Sequence, residues 1–166
     1  MLGIIICDDD RFMLDSSVKA AQLCIQRDNL NLRVLCATQN FKEILLFIEK
    51  NPGVYLYFLD IDFGRDSLNG VDVAKIIKKK EPHSKIVFVT SHADMGMDIL
   101  KSGVEAFGFI EKTSDKNKML QGYKKYLNLV TEKINDTPRS ESEDIRYQGG
   151  KRNPQKYLGN GSFVAA

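Results

Sequence analysis

The feature that constrains this chain most is a rhythm. Apolar runs of strand length recur at residues 2–7, 32–37, 54–59, 85–90 and 106–110, and an amphipathic segment follows each one. Phe12, Leu14, Val18, Ala21 and Ile25 form the first helical pattern. Residues 41–50 form the second, with Ile44, Leu45 and Ile48 on one face, and Asn51-Pro52-Gly53 stops it. Residues 71–80 place Val73, Ile76 and Ile77 inward and lysines outward, and Glu81-Pro82 ends them. A short helix is expected over residues 93–102, before Gly103. In the last pattern Leu120, Tyr123, Leu127, Val130 and Ile134 step by 3, 4, 3 and 4, which is a helical stripe. The fifth strand is the weakest of its kind, because Gly108 interrupts it.

Strands that alternate with helices imply a parallel sheet covered on both faces, and near-continuous apolar strands suit that burial. The fold expected is a doubly wound α/β domain with a five-stranded parallel sheet over residues 1–132. After Thr137-Pro138 the chain turns to glycine, serine, asparagine and charge, without a helical period. Residues 133–166 are therefore expected to be a flexible tail or linker, with a short strand near residues 145–148.

Composition removes several function classes. Hydrophobic residues make up 43% and charged residues 28%, enough for a core. A net charge of +2 gives no footprint for nucleic acid or a membrane surface. No apolar run approaches the roughly 18 residues of a membrane span, and the N-terminus lacks the basic region of a signal peptide. Cys7, Cys24 and Cys36 form no CxxC pair and lie in apolar stretches, as reduced thiols of the cytoplasm do. His83 and His92 have no neighbouring ligand partners that would make a zinc site.

The polar residues that close the strands carry the chemistry. Asp8 and Asp9 end the first strand, Asp60 the third and Thr90 the fourth, and Lys112 follows the fifth. In a parallel sheet they share one edge, the edge where such sheets bind ligands. Carboxylates crowded together are tolerable around a hard cation, and magnesium prefers oxygen ligands. A carboxylate such as Asp60 can act as a nucleophile and form an aspartyl phosphate. Magnesium and a lysine ammonium neutralise a transferring phosphoryl group, and Thr90 can donate a hydrogen bond to it. Asp10 suits the start of the first helix instead.

The segments IICDDD, YFLDIDF, SLNGVDVAKIIKKKEPHSKIVFVTSHAD and AFGFIEKT resemble the receiver domain of bacterial two-component response regulators, over roughly residues 1–132. The resemblance implies the (βα)5 flavodoxin-like receiver fold. It implies that Asp60 accepts a phosphoryl group from a sensor histidine kinase, a self-catalysed transfer in a signalling domain that is not otherwise an enzyme. Asp8, Asp9, Asp60 and the backbone carbonyl of Asp62 would hold Mg2+. Thr90 would be the switch hydroxyl, Lys112 the charge on the phosphorylated site and Phe109 the switch aromatic. A homodimer through the fourth helix, fifth strand and fifth helix is the implied output surface. FLDI and FVTSHAD are most similar to the LytTR-type subfamily of transcription regulators. EDIRYQGGKR faintly resembles the opening of their DNA-binding domain, but the tail is too short for a whole one. The chain is therefore expected to be a truncated regulator or a receiver that works alone, without DNA binding of its own and without a membrane. One departure is Thr113, where the family usually has a proline after its lysine.

Two rivals use the same residues. Asp60-Ile61-Asp62 is a DxD of the kind found in haloacid-dehalogenase-like phosphatases. That class puts its acid pair last rather than first, and Gly64 stands where it has threonine or valine. The other rival is a binding module that works without phosphorylation.

Overall fold

The computed structural model describes residues 1–62, 68–92, 94, 96–136, 156–158 and 162–164. Five strands, β1 (Leu2–Cys7), β2 (Leu32–Thr38), β3 (Tyr55–Asp60), β4 (Lys85–Thr90) and β5 (Gly108–Glu111), alternate with helices. These are α1 (Arg11–Arg27), α2 (Phe41–Lys50), α3 (Gly70–Lys80), α4 (Gly96–Lys101) and α5 (Lys116–Asp136). The five strands are parallel and lie in the order β5-β4-β3-β1-β2. This is the flavodoxin-like arrangement expected from the alternation. β1 and β3 sit at its centre, so the strands that carry Asp8 and Asp60 are neighbours.

Alternation along the strands builds two apolar layers. Ile5, Cys7, Tyr57, Leu59 and Phe88 face α2, α3 and α4, through Ile44, Ile48, Val73, Ile77 and Ile99. Ile4, Ile6, Phe58, Val87 and Val89 face α1 and α5, through Leu14, Ala21, Tyr123 and Leu127. Phe58 and Tyr123 meet with ring centroids 4.5 Å apart. Each fully buried side chain of this size contributes about 1.5–3 kcal/mol, so both faces of the sheet are needed to hold the strand ends in place.

Side chains fix where the helices start. The Asp10 carboxylate accepts the Met13 N–H at 3.0 Å and caps α1, as the sequence suggests. Asn69 and Asp72 form a capping box that opens α3 at Gly70. The α1 stripe differs from expectation. Leu14, Ser17, Ala21 and Cys24 are its buried residues, and Phe12 is 71% exposed. Phe12 lies two residues before Leu14, about 200° around the helix, and so faces away from the sheet. Of the helix expected over residues 93–102, the described part is Gly96–Lys101, and residues 93 and 95 lie outside the described residues. The fifth strand begins at Gly108 rather than being interrupted by it. A Cβ there would lie 2.0 Å from Cε1 of Tyr126. The Tyr126 hydroxyl accepts the Phe109 N–H at 3.1 Å and donates to the Phe109 carbonyl at 3.0 Å.

α5 continues to Asp136, beyond the boundary expected at residue 132. Two short strands follow within the expected tail, β6 (Lys156–Leu158) and β7 (Ser162–Val164). They pair with each other, and β7 lies antiparallel to β2 through Cys36↔Val164 and Ala37↔Phe163. Open backbone on an edge strand accepts such pairing whatever the composition of the incoming segment. The strand expected near residues 145–148 lies outside the described residues.

Candidate functional site

The site forms where β1, β3, β4 and β5 end. β1 delivers Asp8, whose N–H donates to the Thr38 carbonyl at 3.2 Å. Its Oδ1 accepts the Asp10 N–H at 3.0 Å, so the turn into α1 orients the carboxylate. Asp9 is exposed beside it, and the Gln39 side chain donates to its carbonyl at 2.7 Å. β3 delivers Asp60, 2% exposed, with Oδ1 accepting the Asp62 N–H at 3.1 Å. Lys112 follows β5 and its N–H donates to the Thr90 carbonyl at 2.8 Å. No peptide bond among the described residues is cis, Lys112–Thr113 included. The Lys112 ammonium lies 2.8 Å from Asp8 Oδ2 and 2.8 Å from Asp60 Oδ2.

Four of the expected residues are therefore assembled around one another. Carboxylate oxygens of Asp8, Asp9 and Asp60 lie within 4.8 Å of each other. Thr90 is buried at the same edge, with its hydroxyl oxygen accepting the His92 N–H at 3.0 Å. Phe109 sits apart from this group, on the edge strand. It is 40% exposed, and its ring stacks on Phe88 at 5.9 Å between centroids.

The electrostatics are tense. Burial pushes the Asp60 carboxyl up to about 6; hydrogen bonding to Lys112 opposes the rise and the charge of Asp8 adds to it. Burial also raises Asp8, against the pull of Lys112. Burial would lower Lys112, but its hydrogen bonds to Asp60 and Asp8 hold the ammonium above the usual lysine range. Three carboxylates and one ammonium leave two negative charges in a cluster of oxygen donors. That charge and donor chemistry fit a divalent hard cation such as magnesium.

Two neighbours were not legible as site residues. Gly70 donates its N–H to the Ile61 carbonyl at 3.0 Å, and a Cβ on it would lie 2.0 Å from the Asp60 carbonyl oxygen. The start of α3 thus rests directly on the backbone of Asp60. Asn69-Gly70 reads in sequence as a loop, although Asn69 with Asp72 three residues on is a capping signal. The second is His92, whose Nε2 lies 3.2 Å from Asp62 Oδ2. Only the fold brings β3 and β4 ends close enough to reveal that pair.

Known proteins are similar to this chain in sequence and in fold. The response regulator receiver domain, as a family model, matches residues 4–124. Accessory gene regulator protein A of Staphylococcus aureus (strain N315) is 31% identical over 111 residues, 67% of this chain and 46% of that protein. The Staphylococcus epidermidis protein of the same name is 30% identical over the same shares. The chain spans about half the length of the curated relatives it matches. Among solved structures, the Mn(2+)-bound form of response regulator Rcp1 has a TM-score of 0.63 at 13% identity, covering 80% of this chain and 96% of that one. The response regulator protein TrrA of Thermotoga maritima, in complex with Mg(2+)-BeF, has a TM-score of 0.54 at 24% identity, covering 75% and 98%. These two likenesses are of fold. With the family's model spanning most of its length, this chain belongs to the response regulator receiver domain family of two-component systems, and not to the phosphatase class its DxD suggested.

Proposed function

We propose that the chain is a phosphorylation-controlled switch in which Asp60 takes a phosphoryl group from a sensor histidine kinase. The observation that carries this reading is the Lys112 ammonium, 2.8 Å from both Asp8 and Asp60 in a buried acid cluster. An Asp60 carboxylate oxygen attacks phosphorus, the bond from phosphorus to the donor's nitrogen breaks, and the departing imidazole takes up a proton. Lys112 then exchanges an Asp60 oxygen for a phosphoryl oxygen. Thr90 already accepts the His92 N–H, which leaves its own hydroxyl hydrogen for a second phosphoryl oxygen. Asp8, Asp9, Asp60 and the Asp62 carbonyl would hold Mg2+. When bound, that ion supplies charge neutralisation for the transferring group.

The switch reads out through Thr90, Phe109 and the α4–β5–α5 face. Met97, Leu100 and Phe109 are exposed apolar side chains on that face, which supports self-association or partner binding there. Control of transcription is the output we propose, in the cytoplasm, through a partner or a longer form of the chain. Among the described residues no helix is long and apolar enough to cross a membrane. The receiver in this reading runs to the end of α5 at Asp136, and the residues after it form its tail or linker.

Intact-mass measurement after incubation with magnesium and acetyl phosphate tests the reading. One acid-labile phosphoryl mass is expected on the wild type and none on Asp60→Asn. Equal labelling of both proteins would overturn the assignment.

A further inference from the structure

The N-terminal ends of β4 and β5 hold a second set of charged groups, far along both strands from Thr90 and Lys112. A cavity of about 350 Å³ opens there, lined by Lys78, Lys85, Glu105, Phe107, Leu129 and Lys133. Its size falls within the roughly 300–1,000 Å³ of small-molecule sites. Three ammonium groups against one carboxylate give the lining an excess of positive charge.

The lysines do not all behave as solvated surface charges. Lys78 stands in the last turn of α3, and its ammonium donates to the carbonyls of Pro82 at 3.2 Å and Ser84 at 2.8 Å. It is therefore fixed in place before any ligand arrives. Burial draws it below the usual lysine range, Glu105 opposes that and Lys85 adds to it. An anion placed here would counter the repulsion between Lys78 and Lys85.

The apolar part of the lining is equally placed. Phe107 is half-buried and its N–H donates to the Ile86 carbonyl at 2.7 Å, which ties the ring's backbone to β4. Lys133 lies 5.1 Å from the Phe107 ring centroid, and Tyr126 packs behind that ring at 6.1 Å. Leu129 completes an apolar wall. A bare inorganic anion would leave this wall in water, whereas a planar apolar body would cover it.

We propose that this cavity is a second ligand site, taking a small organic anion with a carboxylate or phosphate on a planar apolar body. The anionic end pairs with Lys78 and Lys85 through charge-assisted hydrogen bonds. The planar end takes the place of the Lys133 ammonium over the Phe107 ring and lies against Leu129.

Phenyl phosphate is the probe, titrated into the full chain in chelator-containing buffer and followed by amide NMR. Inorganic phosphate, phenol and a glutamate-rich peptide serve as comparisons. Saturable shifts are expected at Ala106, Phe107 and Lys133, with affinity at least about tenfold tighter than for inorganic phosphate or phenol. Lys133→Gln, an exposed position that leaves the fold intact, should weaken binding severalfold. Lys78→Gln should weaken it more, and both variants should still be labelled at Asp60. Absent shifts, equal affinity for inorganic phosphate, or binding unchanged in both variants would overturn the proposal. Tighter binding of the acidic peptide would overturn the ligand class.

Discussion

Two acids are buried at opposite edges of one sheet, and they are treated in opposite ways. Glu81, beyond the end of α3, is 6% exposed at the N-terminal edge. Its Oε2 accepts the Tyr57 hydroxyl at 2.6 Å and the Ser84 hydroxyl at 3.0 Å. Ser84 Oγ in turn accepts the Tyr55 N–H at 2.9 Å, so this carboxylate fastens β3 to the turn before β4. Asp60, at the C-terminal edge, has an ammonium and a backbone N–H instead, with a second buried acid beside it. The Glu81 carboxylate is held by hydroxyl donors rather than by an ammonium. A shared ammonium between crowded acids leaves each oxygen able to exchange its partner. The first arrangement is a joint and the second, in the function proposed, is a reaction centre, though burial is similar in both.

The sharpest way to break this comparison is to neutralise each acid in turn. Asp60→Asn should abolish acid-labile phosphoryl labelling outright, whereas Glu81→Gln should leave labelling intact and lower the melting temperature. Loss of labelling in both would mean that the two edges are not separable. The next effect in size concerns Gly70, which touches the Asp60 backbone. Gly70→Ala forces its new methyl group against the Asp60 carbonyl. Displacement of a reacting carboxylate by even about 1 Å can cost on the order of 10²-fold in rate, so if Asp60 is the acceptor, as proposed, the labelling rate should fall accordingly. An unchanged rate would show that α3 does not position Asp60.

Tyr57→Phe removes one of the two donors to Glu81. A destabilisation of about 1–3 kcal/mol is expected by denaturant unfolding, with labelling unchanged. The last effect is one of pH. Asp60 sits at about 6 in the fold, against about 3.9 in an unfolded chain. Between those values the folded state binds the proton and the unfolded state does not, so this group's contribution to stability falls as pH rises. Metal-free protein should therefore lose stability from about pH 4 to pH 6, and Asp60→Asn should lose less. Asp8, raised in the same direction, contributes with the same sign. An identical pH profile for the two proteins would remove Asp60 from the account.

Much of this was readable before the structure. The strand rhythm gave the sheet, and the sheet forced Asp8, Asp60, Thr90 and Lys112 to one edge. Local rules also located the Asp10 cap. What sequence could not give were contacts between segments whose meeting depends on the finished fold. Gly70 against Asp60, His92 beside Asp62 and Glu81 between Tyr57 and Ser84 are of that kind. Phe12 shows a second limit, since its apolar character suggested the core while its angular position placed it in solvent. The pairing of β7 with β2 shows a third, because edge backbone recruits a partner by hydrogen bonding rather than by hydrophobic pattern.

β5 is the other margin of the sheet, and its hydroxyl clamp has a consequence for how copies of this protein meet. Tyr126 both donates to and accepts from the backbone of Phe109, so one side chain stands where a further strand would bind. An exposed margin of this sort would otherwise be a template for intermolecular sheet growth and fibre formation. Gly108 is what lets the ring come so near. A larger residue there would evict the tyrosine and uncover the margin, leaving its backbone open to edge-to-edge stacking.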